Sequence, residues 1–411
     1  MNDMRQQILR WIDEDESELV RFFSDFVRCK SPNPPGDTRQ AMQHVQALLR
    51  KNNLPFREVN AQNDWPNLIA STDTGRAGRH LMFNGHLDVF PAEGQQGWTD
   101  DPWSGKVADG RVWGRGTGDM KAGLTASLFA YVYLSRLRER LNGKLSLTVV
   151  SDEENGGEYG VGYMFRTIEE EMLADAVISG ESTTPRGVAF GGKGNIQFSV
   201  RVSTPGAHAS APFKSANAIR IATDIIHELD ALAMIPVNMP EKMEAMLAEP
   251  GVKDLLGPGA DYIPIITLNA GTIHGGAKVN VIAYDCNFEF EARIPIGTDI
   301  DAMVALTREI VGRHPEAKIT ALHVSAPDYC DPTDLLAVVL QDTVESLGRP
   351  RPSMFVSSAL SDCKYWRDRG IPAFWYGPSP VAGTPNESVS VDEFLNLVRV
   401  HSIAALDYLQ K

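Results

Sequence analysis

The 411-residue chain reads as an α/β protein, a doubly wound, mainly parallel sheet interrupted by a smaller inserted α+β domain. Three observations predict this. Between His80 and Ser182, short apolar runs alternate with helical stretches: HLMFNGHLDV, KAGLTASLFAYVYLSRL, KLSLTVVSDEE and DAVISGES. At Gly191-Gly192-Lys193-Gly194 the texture changes, and NIQFSVRV (Asn195 to Val202) alternates apolar with polar residues, as in a sheet with one wet face. Beyond about residue 326 the first texture returns. The expected division is therefore 1–191 with 326–411 as one discontinuous domain and 192–325 as the insert.

The elements follow in order. The first 30 residues have the pattern of a helix, which Ser31-Pro-Asn-Pro-Pro-Gly36 breaks. Asp37 to Asn52 reads as a second helix from its apolar spacing. The helix KAGLTASLFAYVYLSRL follows the glycine loop Gly114-Arg-Gly-Thr-Gly-Asp119, with Asp119 expected near its N-terminus. Within the insert, a helix from about Ser215 to Leu232 is followed by the strand-like PIITLNAGTIHGG and DCNFEFEARIPI. A helix from Asp299 to Arg313 and the strand KITALHV complete it. After the insert come a helix from Pro332 to Leu347, the apolar PAFWYG and a last helix from Val391 to Leu409.

Bulk properties exclude several classes. A formal net charge of -14 argues against a nucleic-acid partner, which selects a basic surface. No run of about twenty apolar residues is present, so no membrane span is expected. The N-terminus is charged and amphipathic, unlike a signal peptide. The four cysteines form no C-x-x-C pair, and such sparse use fits a reducing compartment, so the cytoplasm is expected.

In an open α/β sheet, ligands bind beyond the carboxyl ends of the strands. LMFNG is followed by His86-Leu-Asp88, LSLTVVS by Asp152-Glu153-Glu154, and AVIS by Gly180-Glu181. With Asp119, four segments bring carboxylates or an imidazole to one sheet edge. Taken singly, each has an ordinary explanation: a satisfied His–Asp pair, a solvated loop, a helix cap. Together they repel unless a cation lies among them, and a divalent metal is the economical account. The loop GRGTGD lacks both the G-x-G-x-x-G spacing for dinucleotides and the G-K-[ST] of a P-loop, so its glycines are read as permitting the turn that aims Asp119.

These residues resemble the M20 metallopeptidases and their deacylase relatives, which include desuccinylases, aminoacylases and glutamate-releasing carboxypeptidases. GHLDV (85–89), GRGTGDMKAG (114–123), DEENGG (152–157) and GES (180–182) are similar to the metal motifs of that family in order. TPGAHAS (204–210), KVNVIA (278–283) and EARIP (291–295) are similar to the motifs of its lid. The resemblance implies His86, Asp119 and Glu181 at a first metal, Asp119 and Glu154 at a second, and Asp88 orienting the imidazole. Glu153 would be the general base toward a metal-activated water. His208 would stabilise the oxyanion, Asn280 would contact substrate, and Arg293 would grip a substrate carboxylate. It further implies a lid that forms a homodimer, a small carboxylate-bearing substrate, and zinc as the ion, with manganese or cobalt also suited to the donors.

One departure bears on the metal count. Where the family carries a histidine before Thr-Pro-Asn-Glu, this chain has Gly383, followed by Thr384-Pro385-Asn386-Glu387. The second metal is then weakened or absent, or a water or substrate atom fills its place, or another residue reaches in. The leading functional expectation is hydrolysis of a C–N bond. The alternatives are an aminohydrolase releasing ammonia from an aromatic amino acid-like substrate, with Trp98, Trp103, Trp375 and Tyr376 lining its pocket, and an inactive binding relative.

Overall fold

The structure is a computed structural model that describes residues 2–92, 94–379 and 383–411. Its N-terminal stretch forms two helices, α1 (Asn2–Glu14) and α2 (Glu16–Arg28), where the sequence reading had one. Asp15 steps off the helical path at φ −91°, ψ 3°, and its carbonyl accepts from Glu18 and Leu19 to start α2. Then come α3 (Arg39–Lys51), β1 (Phe56–Glu58), β2 (Leu68–Asp73), β3 (His80–His86), β4 (Lys106–Ala108) and β5 (Arg111–Trp113). They are followed by α4 (Ala122–Arg136), β6 (Lys144–Val150), α5 (Val161–Met172), β7 (Ala176–Ser179) and β8 (Gly187–Gly192).

The chain divides into two compact units, one of residues 1–190, 330–355 and 361–411, the other of residues 191–329 and 356–360. The second unit holds β9 (Gly194–Ser203), β10 (Ala207–His208), α6 (Ala218–Leu229), α7 (Glu241–Leu247) and α8 (Pro250–Leu256). It continues through β11 (Thr267–Gly275), β12 (Val281–Ile282), β13 (Asp285–Ile294), α9 (Ile300–Gly312), β14 (Ala317–Ser325) and β15 (Asp328–Tyr329). The first unit resumes with α10 (Leu335–Ser346), β16 (Ser353–Ser357), α11 (Cys363–Arg367), β17 (Ala373–Trp375), β18 (Ser388–Ser390) and α12 (Val391–Gln410).

The large sheet has the order β1-β2-β6-β3-β7-β17-β8. Its centre is parallel, with β3 between β6 and β7 and β17 beyond β7, while β1, β2 and β8 pair antiparallel at the flanks. Strands covered on both faces need no alternation, and β7 is buried throughout while β3 and β6 are buried beyond their first residues. Helix α4 is likewise buried from Ala122 to Ser135, and α12 packs along it.

The second unit's sheet runs β11-β13-β9-β14, all antiparallel. Alternate residues Ile196, Phe198, Val200 and Val202 of β9 join Phe288, Phe290, Ala292 and Ile294 of β13 in its core, under α6 and α9. The helices α7 and α8, between α6 and β11, had no counterpart in the sequence reading. Lys193 ties off the segment that follows them, its Nζ donating to the carbonyls of Tyr262 (2.8 Å) and Ile265 (2.6 Å). All four cysteines are free thiols, and no helix among the described residues is long and apolar enough to cross a membrane.

Candidate metal centre

Because β6, β3 and β7 are parallel neighbours, their carboxyl ends open on one edge. His86 is the last residue of β3, Glu153 and Glu154 follow β6, and Glu181 follows β7. Asp119 arrives from the turn Thr117–Lys121, with non-helical φ −129° and ψ 99°. The turn precedes α4, so Asp119 lies outside the first turn of that helix. Gly123 and Gly180 let these two segments meet: a Cβ on Gly123 would stand 1.9 Å from the Gly180 carbonyl oxygen. From behind, Glu387 accepts from the Gly118 amide at 2.7 Å and from Arg115 at 2.7 Å, and Arg115 and Glu387 are each 1% exposed.

The histidine is the hub. His86 Nε2 lies 3.2 Å from Asp119 Oδ1, 3.3 Å from Glu181 Oε1 and 3.8 Å from Glu153 Oε2. His86, Asp119 and Glu181 each offer a ligand atom, all within 4.8 Å of one another. The imidazole is oriented by main chain: Nδ1 meets the Asp88 carbonyl oxygen at 2.8 Å, while the Asp88 carboxylate stands at 3.5 Å. The resemblance had assigned that orienting role to the Asp88 carboxylate. With Nδ1 donating to a carbonyl, Nε2 faces two carboxylates, and it meets them either with its own proton or, once that proton is displaced, with a cation held between them.

The electrostatics fit the same group. Burial alone would discharge the His86 imidazole, but Glu181, Asp119 and Asp88 outweigh it and hold its pKa well above the ordinary value. Burial, reinforced by neighbouring carboxylates, pushes Glu153, Glu154 and Glu181 up. Glu154 Oε1 is buried without a hydrogen-bond partner. A divalent ion would relieve these charges, so the donor set suits one.

Several neighbours escaped the sequence reading. Asp362, beyond β16, is 3% exposed, and its Oδ2 has no partner. Burial pushes it up to about 8, with His86 opposing and Glu181 and Asp88 adding to the rise. Asn33, in the loop read only as a helix breaker, donates to Asp88 at 2.9 Å. Arg115 and Glu387 lay inside quoted motifs without a role.

The remaining expected site residues, His208, Asn280 and Arg293, belong to the second unit. His208, on β10, is exposed, with Nδ1 2.8 Å from Ser210 Oγ and Nε2 3.5 Å from Asn280 Nδ2. The pairing of β10 with β12 sets His208 opposite Val281 and so brings Asn280 beside it. Arg293, on β13, is ion-paired with Glu291.

Gly383 has φ +74°, its carbonyl accepts from Gln95 Nε2 at 2.7 Å, and the space a Cβ would enter is open. His401 does not stand in for the missing imidazole: its nitrogens meet Ser127 Oγ (3.0 Å) and the Tyr376 carbonyl (2.7 Å). Trp103, Trp375 and Tyr376 are buried, and the partly buried Trp98 packs against the cluster of Val89, Ala92 and Trp103.

Comparisons with known proteins cover most of the chain. Residues 82–407 match the model of peptidase family M20/M25/M40. Succinyl-diaminopimelate desuccinylase 2 of Ruegeria sp. (strain TM1040) is 25% identical over 396 residues, covering 93% of this chain and 92% of the relative. An M20 family metallo-carboxypeptidase, Sso-CP2 from Sulfolobus solfataricus, superposes with a TM-score of 0.84 at 16% identity, covering 96% of this chain and 100% of its own. The di-peptidase Dug1p from Saccharomyces cerevisiae gives 0.79 at 14% identity, with 100% of both chains covered.

Proposed function

We propose that this chain, which belongs to peptidase family M20/M25/M40 and is a metal-dependent hydrolase of amide C–N bonds, removes an acyl group from a small carboxylate-bearing N-acyl amino acid of the succinyl-diaminopimelate kind. The observation that carries the reading is the gathering of His86, Asp119 and Glu181 around one point, with Glu153 beside them. The desuccinylase relative, matched over nearly its whole length, favours a deacylase over a peptidase.

When bound, a divalent ion, zinc by preference, would polarise the scissile carbonyl and acidify a water. His86, Asp119 and Glu181 would hold it, and the resemblance offers Asp119 with Glu154, whose Oε1 is buried without a partner, as donors to a weaker second ion. Glu153, 15% exposed, accepts the proton of the attacking water and returns it to the leaving nitrogen. Asp88 keeps the loop carrying Glu153 in place through the amides of Glu153 (3.3 Å) and Glu154 (3.1 Å). His208 and Asn280, adjacent in the second unit, stabilise the oxyanion and contact substrate, and Arg293 exchanges Glu291 for the substrate carboxylate. That unit serves as a lid and dimerisation domain, and the enzyme works in the cytoplasm.

The test is Glu153→Gln assayed on N-succinyl-diaminopimelate, N-acetyl amino acids and dipeptides, with new primary amine and free ammonia measured separately. Amine release by the wild type and a loss of about 10²–10⁴-fold in the variant, at unchanged metal content, are expected. Ammonia as the product would establish the aminohydrolase, and an undiminished variant would remove Glu153 as the base.

A further inference from the structure

We propose that Asn33 is a positioning residue for this centre, one carboxamide that locks the strand ending in His86 to the loop carrying Glu153 and Glu154. The Asn33 Nδ2 donates to Asp88 Oδ2 at 2.9 Å and to Asp152 Oδ1 at 3.4 Å. Its Oδ1 accepts from Asn155 Nδ2. Asn33, Asp88 and Asp152 are each no more than 3% exposed. Asn33 is itself fixed to the continuation of β3. Its amide donates to the Val89 carbonyl (3.0 Å), the Val89 amide to Ser31 (3.0 Å), and Ser31 Oγ to Leu87 (2.7 Å).

What the carboxamide joins explains why it matters. The Asp88 carboxylate receives the amides of Glu153 and Glu154, so it faces the loop, while its carbonyl orients the imidazole. Asp152, two residues beyond β6 and next to Glu153, has a left-handed backbone at φ +77°, where a residue other than glycine is strained. Its side chain also accepts from Tyr159 N at 3.0 Å, and its carbonyl from Gly157 N at 2.7 Å. Two buried carboxylates from distant segments thus share one neutral donor. Without it their repulsion is unrelieved, and the strained turn that presents Glu153 and Glu154 loses its tether to β3.

The affinity readout below rests on the metal-site reading, whereas the exchange readout needs neither metal nor substrate. Wild type, Asn33→Ala and Asn33→Asp are compared by amide hydrogen exchange without metal and by zinc titration of the metal-free protein. In both variants, amides of residues 153–159 are expected to exchange at least about 10-fold faster while α4 and α12 keep their protection. Zinc binding should weaken by about 10–100-fold. Asn33→Asp separates position from charge: an added carboxylate would tighten zinc if charge alone mattered, and tightening overturns the proposal. Unchanged exchange in the loop, or a uniform acceleration throughout the chain, overturns it as well. If the wild type takes no zinc, the metal reading fails, and the exchange pattern alone decides the role of Asn33.

Discussion

Replacing Arg115 by Met leaves Glu387 buried without its counter-ion, and the structure sets the size of the effect. The pair is 2.7 Å apart, and each side chain is 1% exposed. Removing one member of such a pair costs about 3–5 kcal/mol, because the surviving charge keeps its desolvation penalty. Burial already pushes the Glu387 carboxyl up, against the lowering effect of the Gly118 amide and of Arg115, so losing Arg115 pushes it further. A carboxyl raised in the folded state binds more protons folded than unfolded, so stability falls as pH rises from its unfolded value toward its folded one. The loss should therefore be larger at about pH 8 than at about pH 5.5, where the carboxyl can take a proton. Adding Glu387→Gln should recover at least about 1 kcal/mol, since the amide oxygen can still accept from Gly118. Urea unfolding followed by tryptophan fluorescence and far-ultraviolet circular dichroism measures all three quantities. A cost under about 1 kcal/mol at pH 8, or a larger cost in acid, would refute the reasoning.

His401 is buried and held down to about 4, a displacement worth about 3 kcal/mol; stability from its neutral form is complete above the unfolded value and is lost as pH falls toward 4. His401→Gln should flatten the fall in unfolding free energy between about pH 7 and 4, leaving the part due to His80, also held near 4. Gly383→His should cost about 1–2 kcal/mol for a side chain at φ +74°, with open space to receive it. It should also raise zinc per chain, read by elemental analysis after dialysis; unchanged stoichiometry would remove Gly383 as the cause of a weak second site.

The parts of the centre legible in the sequence were those that follow from local pattern. An apolar run that ends in His86, Glu181 or the Glu153-Glu154 pair marks a strand and the edge where it stops, and parallel neighbours bring those edges together. The supports were not legible, because each is a contact between distant segments: Asn33 with Asp152, Arg115 with Glu387, Asp362 with the strand of His86. No spacing rule connects such pairs. Asp119 was placed at a helix start from the apolar run behind it, yet the glycine loop delays α4 to Ala122 and leaves Asp119 in a turn. The break at Asp15 was invisible for a related reason, since no proline or glycine marks it. The helices α7 and α8 are only seven residues each, too short for a periodic pattern to stand out.

The two halves of the centre differ in how their charge can be balanced. Asp119 and Glu181 face the free nitrogen of an imidazole whose other nitrogen is committed to a carbonyl, so a cation is the partner that satisfies all three. Glu153, Glu154 and Asp362 have no second imidazole, and burial raises the proton affinity of each. Burial raises Glu181 as well, so what sets Glu153 apart is its place: its Oε2 stands 3.8 Å from His86 Nε2, beside the three candidate donors and not among them. On the proposed reading, glycine in place of a histidine at Gly383 lowers the ion count and leaves Glu153 in place as the base. On that reading a single ion held by His86, Asp119 and Glu181, with Glu153 as its base, would suffice for amide hydrolysis, and zinc per chain measured alongside turnover tests it.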